Sequence, residues 1–266
     1  MRNALLPLSL AISLALAAQV TSMRRLTEQE YRNSIADVFG PDIEVRGFFE
    51  PTIRTGGLGA ASTASLSITP AGYESFAKMA DDIASQVTGE RRRAKLPCAP
   101  KDAKLPDNTC AEKILSHYGL LLFRRPLSPA ELDNRVGLAS TMATKTNDFY
   151  TGVRYSLSML MQLPDFVFRM ERTDGRSATL DGYSRAARLS FLLWNTTPDA
   201  ELLKAAQTGG LNAPAGMASQ VDRLMASPRF ETGMRAFFSD MLAIDEFETV
   251  EKDSIIYPSF SLAVAK

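Results

Sequence analysis

The stretch G-V-R-Y-S-L-S-M-L-M-Q-L-P-D-F-V-F-R-M-E-R, residues 152–172, decides the fold, together with L-D-G-Y-S-R-A-A-R-L-S-F-L-L-W, residues 180–194. Val153, Leu157, Leu160 and Met161 recur at helical spacing, which predicts a helix with one face in a core. Asn147 or Asp148 is placed to cap it. Pro164 breaks the pattern, and Asp165-Phe166-Val167-Phe168-Arg169 reads as a short new turn. Asp181 then caps a second helix, with Tyr183, Ala187, Phe191 and Trp194 on one face and Ala186, Leu189 and Leu193 beside it. Charged residues (Asp165, Arg169, Glu171, Arg185 and Arg188) interrupt the densest apolar region of the chain, which also holds its only tryptophan.

One device recurs along the chain. Ser or Thr begins a helix, with Pro at the next position or Glu three residues on. Thr27 with Glu30 opens a helix through Tyr31, Ile35, Val38 and Phe39, stopped at Gly40. Thr69-Pro70 opens one through Phe76, Ala80, Ile83 and Val87. Thr109 with Glu112 reads as a further capping box, before a helix ending at Arg124-Arg125-Pro126. Ser128-Pro129, Thr197-Pro198, Asn212 and Ser227-Pro228 mark later starts. No run alternates as a strand should, and no Asn-Gly hairpin joins two such runs. The expected fold class is therefore all-α: an irregular bundle of roughly nine helices, with a long Gly-rich loop near the N-terminus. That loop, around Gly56, Gly57 and Gly59, lacks the strand and Gly-Lys-Ser/Thr step of a phosphate cradle. Glu90 to Lys95 reads as a solvated basic run.

With 266 residues, 45% hydrophobic and of zero formal net charge, the chain can bury a sizeable core and shows no global attraction to nucleic acid. Residues 1–22 read as a signal peptide: Arg2, then an apolar run from Ala4 to Ala18, then small residues, with cleavage near Ala17, Ala18 or Ser22. The competing reading is a retained membrane anchor, although the run is short for a span of ~20 residues. With cleavage, no membrane span remains, and the expected location is the periplasm or the extracellular space. Export makes a disulfide between Cys98 and Cys110, the chain's two cysteines, the expected pairing.

Chemistry has few candidates. One histidine and two cysteines are too few for a Cys/His zinc site, and no cofactor motif is present. No Gly-x-Ser-x-Gly elbow exists, and His117 alone would serve as a base. The acidic tail (Asp240, Asp245, Glu246, Glu248, Glu251, Asp253) lacks the spaced loop of a calcium site. Asp165, Arg169, Glu171 and Arg188 remain as weak catalytic candidates. They read either as a polar pocket whose carboxylate acts as acid or base, or as an ion-pair network locking the helical corner. The network is the favoured reading. At helical spacing such a network can place Arg169 beside Asp165 and Arg185 beside Arg188, and Arg169 and Arg188 are expected at least partly buried and paired with carboxylates. Trp194 and Phe166, Phe168 and Phe191 read as core.

Three segments carry a resemblance. R-R-L-T-E-Q-E-Y-R-N-S-I-A-D-V-F-G at 24–40 resembles the opening of the planctomycete-type domain of unknown function 1587. C-A-E-K-I-L-S-H-Y-G-L-L-L-F-R-R-P-L-S-P-A-E-L at 110–132 is similar to domain 1595. L-P-D-F-V-F-R-M-E, R-L-S-F-L-L-W-N-T-T-P-D-A-E-L-L and L-M-A-S-P-R-F together resemble domain 1592. The implied organisation is a signal peptide at 1–22, then a 1587-like region at 23–96, a 1595-like region at 97–146 and a 1592-like region at 147–266. Members usually continue past the 1592-type region, so the resemblance implies a C-terminally incomplete third region. Many members carry a c-type cytochrome module. This chain has no Cys-x-x-Cys-His, so haem is not carried over, but c-type cytochromes are implied as partners. The resemblance names no reaction. Two readings of function follow: an exported helical scaffold or docking module associated with periplasmic redox proteins, or an exported polysaccharide- or polymer-active hydrolase with an acidic pocket around Asp165 and Glu171.

Overall fold

Side-chain caps open most of the long helices, and they set the element order. The computed structural model describes residues 20–51, 54, 58–59, 63, 68–174, 179–244, 255–257 and 259. Strand β1 (Val20–Arg25) leads into α1 (Glu28–Phe39), α2 (Pro70–Thr88) and a 3-10 turn (Glu90–Lys95). There follow α3 (Asn108–Phe123), α4 (Pro129–Thr146), α5 (Phe149–Gln162), a one-turn α6 (Pro164–Val167) and strand β2 (Phe168–Arg172). The chain continues with α7 (Gly182–Trp194), α8 (Ala200–Gln207), a 3-10 turn (Gly210–Asn212), α9 (Pro214–Ala226) and α10 (Arg229–Met241). The all-α reading holds, with ten α-helices among the described residues in place of roughly nine. The strands were not foreseen. β1 and β2 pair antiparallel as a two-stranded ribbon, and the turn expected at 165–169 ends at Val167.

Thr27 and Ser128 form complete capping boxes with Glu30 and Glu131, and Thr69, Asp148 and Asp181 cap α2, α5 and α7. Four expected caps are corrected; for α10 the cap position is Pro228, with no side-chain cap, although Arg229 N donates to Ser227 Oγ at 3.3 Å. α3 is capped by Asp107, not Thr109: its carboxylate accepts from Cys110 N at 3.0 Å and from Lys101 N at 3.2 Å, so it also holds the preceding loop. α8 is capped by Asp199 rather than Thr197. Asn212 ends a 3-10 turn, and α9 starts at Pro214 without a side-chain cap.

Helix α5 is the axis of the larger core. Val153, Leu157, Leu160 and Met161 have no exposed surface, and α2, α3 and α4 pack around them. Gly152 permits the tightest approach, since a Cβ there would lie 2.3 Å from the Ala139 carbonyl oxygen of α4. Tyr31 of α1 is wholly buried among Phe49, Phe76 and Phe166. The pairing of Cys98 with Cys110 holds, with Cα atoms 5.5 Å apart, so the loop between them is pinned to α3. The basic run is less free than expected: Arg92 bonds Asp42 and the Phe39 carbonyl, and Arg93 lies 3.9 Å over the Tyr150 ring.

A second, smaller core gathers Leu193, Trp194, Leu202, Leu211 and Leu224. α7 is its shared wall: Ala187 and Phe191 face the larger core, while Ala186 and Trp194 face the smaller. Trp194 Nε1 donates to Leu224 O at 2.9 Å. Polar links also tie the ends of the chain together. Thr196 donates to Asp37 at 2.6 Å, Asn33 to Asn195 O at 3.0 Å, and Arg54 bonds the Asp240 carboxylate at 2.9 Å.

The apolar leader to Ala18, Gly56 and Gly57 of the loop, and the acidic residues from Asp245 to Asp253 lie outside the described residues. Ser22 pairs with Glu171 in the ribbon, so cleavage after Ser22 would remove half of β1, whereas cleavage at Ala17 or Ala18 leaves it whole. No described helix is long and apolar enough to cross a membrane.

Candidate functional site

The sequence F-R-M-E-R of β2 puts Phe168, Met170 and Arg172 on one face and Arg169 and Glu171 on the other, because strand side chains alternate. β1 adds Arg25 opposite Phe168, Met23 opposite Met170, Arg24 opposite Arg169 and Ser22 opposite Glu171. The ribbon therefore separates two groups of charges.

On the Arg172 face the charges are mutually satisfied. Asp165, presented by α6, accepts from Arg125 and Arg172, each at 2.7 Å. Arg125 also forks Glu131 at 2.9 and 2.7 Å, and Glu131 accepts from Ser128 N at 2.7 Å. The Arg125 hydrogen bond is the main reason the Glu131 carboxyl is held down at about 2, and Arg125 is itself pushed up by Glu131. Beneath them lies Arg124, the residue that ends α3 in the left-handed region at φ 58° and is only 3% exposed. It donates to the carbonyls of Phe168 (2.7 Å) and Asp165, with longer bonds to Phe166. Burial brings its guanidinium down to about 10. A guanidinium spread over backbone carbonyls stitches the end of α3 to the α6–β2 corner.

The opposite face is arranged differently. Arg24 donates to Glu30 at 3.1 Å, and Arg188 of α7 forks Glu171 at 2.6 and 2.6 Å. The Arg188 bond holds the Glu171 carboxyl below the usual carboxylate range. Arg169 has no hydrogen bond or ion pair from its guanidinium among the described residues, and its Nε is buried. It lies 5.6 Å over the Phe191 ring, and burial, with Arg24 nearby, lowers its pKa.

The four candidates are thus split rather than brought together. Asp165 and Glu171 belong to different networks on different faces. Arg169 does not sit beside Asp165, whose partners are Arg125 and Arg172. Arg188 is paired as expected, although its side chain is 58% exposed; Arg169 is largely buried as expected, but unpaired. Sequence reasoning missed Arg124, Arg125, Arg172 and Glu30. The only signal for the first two was the Arg-Arg-Pro at a helix end, which reads equally well as a plain stop.

A cavity of about 110 Å³ lies elsewhere, lined by Arg25, Leu26, Glu28, Phe49, Glu50, Pro51 and Phe76. None of the four candidates lines it. Arg25 bonds Glu50 at 2.9 Å at its edge. Among the described residues no group of three or more His, Cys, Asp or Glu is placed to hold a metal.

Comparison with known families finds three domains in succession, and residues 163–171, read from the sequence as 1592-like, fall within the 1595 match. Protein of unknown function (DUF1587) matches residues 24–89, Protein of unknown function (DUF1595) residues 110–171, and Protein of unknown function (DUF1592) residues 180–266. No curated protein and no solved structure matches the chain. The ribbon joins the first two segments, since β1 opens one and β2 closes the other, and α7 of the third covers its Arg169 face. The chain belongs to the proteins that combine the 1587, 1595 and 1592 domains of unknown function, in that order.

Proposed function

We propose that this chain is an exported helical scaffold that docks a protein partner, with the c-type cytochromes implied by the family resemblance as the partner class. One observation carries the reading. The two acids an acidic active site would use, Asp165 and Glu171, are each held by guanidinium groups and lie on opposite faces of β2. Acid–base chemistry favours a carboxylate with a raised pKa in a cleft, whereas Glu171 is pulled down by Arg188. The Glu171–Arg188 pair fixes α7 of the third segment against β2 at the end of the second, and a fixed relation between segments is what a scaffold requires. The exposed apolar edge of Phe237, Phe238 and Met241 on α10 is consistent with a docking role.

The test is calorimetric titration of the purified mature chain with a c-type cytochrome from the same host. Saturable binding that persists in Asp165→Asn, after correction for the unfolded fraction, supports the scaffold. Absence of binding, together with a polysaccharide-hydrolysing activity that Asp165→Asn abolishes at unchanged stability, would replace it with the hydrolase.

A further inference from the structure

Arg24 and Arg169 are direct cross-strand partners in the ribbon. Like charges placed opposite each other destabilise a pair of strands unless a counter-charge lies between them. Two counter-charges are present, and both are engaged: Glu30 by Arg24 at 3.1 Å, and Glu171 by Arg188 at 2.6 Å. Among the described residues the charges acting on Arg169 come from each packed element: Arg24 from β1, Glu30 from α1, Glu171 from β2 itself and Arg188 from α7, with the buried Arg124 at the end of α3 also nearby. Among the described residues three cations face two anions before Arg124 is counted, and Arg169 is the cation without an ion pair. Its Nε is buried without a partner, and Phe191 backs its guanidinium. The side chain is partly exposed, and Arg188 beside it is mostly so, which leaves a way in from solvent.

We propose that the Arg24–Arg169–Arg188 face of the ribbon is a binding site for a carboxylate group, received by the guanidinium of Arg169. The chemistry selects the ligand class. A guanidinium presents a planar fork that a carboxylate matches with two parallel hydrogen bonds. A single negative charge balances the one unmatched cation, while a phosphate dianion would be set against Glu30 and Glu171. Retaining a largely buried, unpaired arginine lowers stability, and such local violations concentrate where a ligand completes the set.

The test uses the full chain labelled with ¹⁵N-arginine, and follows the Nε–Hε resonance that disappears in Arg169→Met. Sodium acetate and a triglutamate peptide are titrated separately, with sodium chloride holding the ionic strength constant. The expected result is a saturable shift of the Arg169 signal. Movement with both probes identifies a free carboxylate as sufficient, and movement with triglutamate alone identifies an acidic peptide as the source. Glu171→Gln releases Arg188 to the ligand and should tighten binding roughly tenfold. Arg169→Met removes an unmatched cation, so it should fold, be at least as stable as the parent and lose the response. No saturable shift with either probe would overturn the site. So would an acetate-dependent rise in unfolding midpoint that survives in Arg169→Met.

Discussion

The two faces of β2 handle charge in opposite ways. On the Arg172 face, Asp165 serves two guanidiniums, Arg125 serves two carboxylates, and Arg124 spends its donors on backbone carbonyls. On the Arg169 face, two ion pairs flank an arginine with no partner among the described residues. The strand is five residues long, so both faces share one backbone. The difference lies in what neighbouring elements bring. α3, α4 and α6 deliver charges of both signs to the first face. α1 and α7 deliver one carboxylate and one arginine to the second, which leaves it one anion short among the described residues. Rigidity belongs with the first face, and capacity for a ligand with the second.

Three substitutions would sharpen or break that contrast. The largest effect is expected at Arg124. Arg124→Met leaves the carbonyls of Asp165 and Phe168 without their donor and keeps a bulky side chain at φ 58°. It should cost about 3–4 kcal/mol in urea unfolding. A loss below ~1 kcal/mol would mean that the corner holds without it. Next comes Asp165→Asn, which leaves Arg125 and Arg172 facing each other without their shared carboxylate. The expected loss is about 2–3 kcal/mol, since both guanidiniums are only 18% exposed. Equal tolerance of Asp165→Asn and Arg169→Met would erase the distinction between the faces. The smallest effect is the pH dependence of Glu131. Its folded pKa, about 2, lies below the ordinary 4.5. The stability it contributes is therefore complete above about 4.5 and is lost as pH falls toward about 2. Glu131 is 35% exposed, so solvent screening limits the gain to about 1 kcal/mol. Glu131→Gln should flatten the acid limb of the stability curve by that amount, and an unchanged limb would remove this pair from the account.

Helices were legible because their signals are local. Thr27-x-x-Glu30 and Ser128-x-x-Glu131 close capping boxes within four residues, and the Val153–Met161 stripe needs only its own periodicity. The Cys98–Cys110 bridge was legible because two cysteines allow one intramolecular pairing. The ribbon was not legible. M-R-R and F-R-M-E-R place charges on both faces, so neither shows the apolar alternation of a half-buried strand. Their partners lie more than a hundred residues apart. Asp107 displaced Thr109 as a cap because its carboxylate also satisfies Lys101 N, a contact made only once the loop folds back.

The sequence by itself thus determined the helices, most of their ends and the disulfide, since each follows from neighbours in the chain and the hydrogen bonds they leave open. Only the tertiary structure decided which arginine meets which carboxylate. Arg125 to Asp165, Arg188 to Glu171 and Arg169 to no described carboxylate are outcomes of how α3, α6, α7 and the ribbon pack. An ion pair is made by proximity in space, and a guanidinium carries no local signal of its partner.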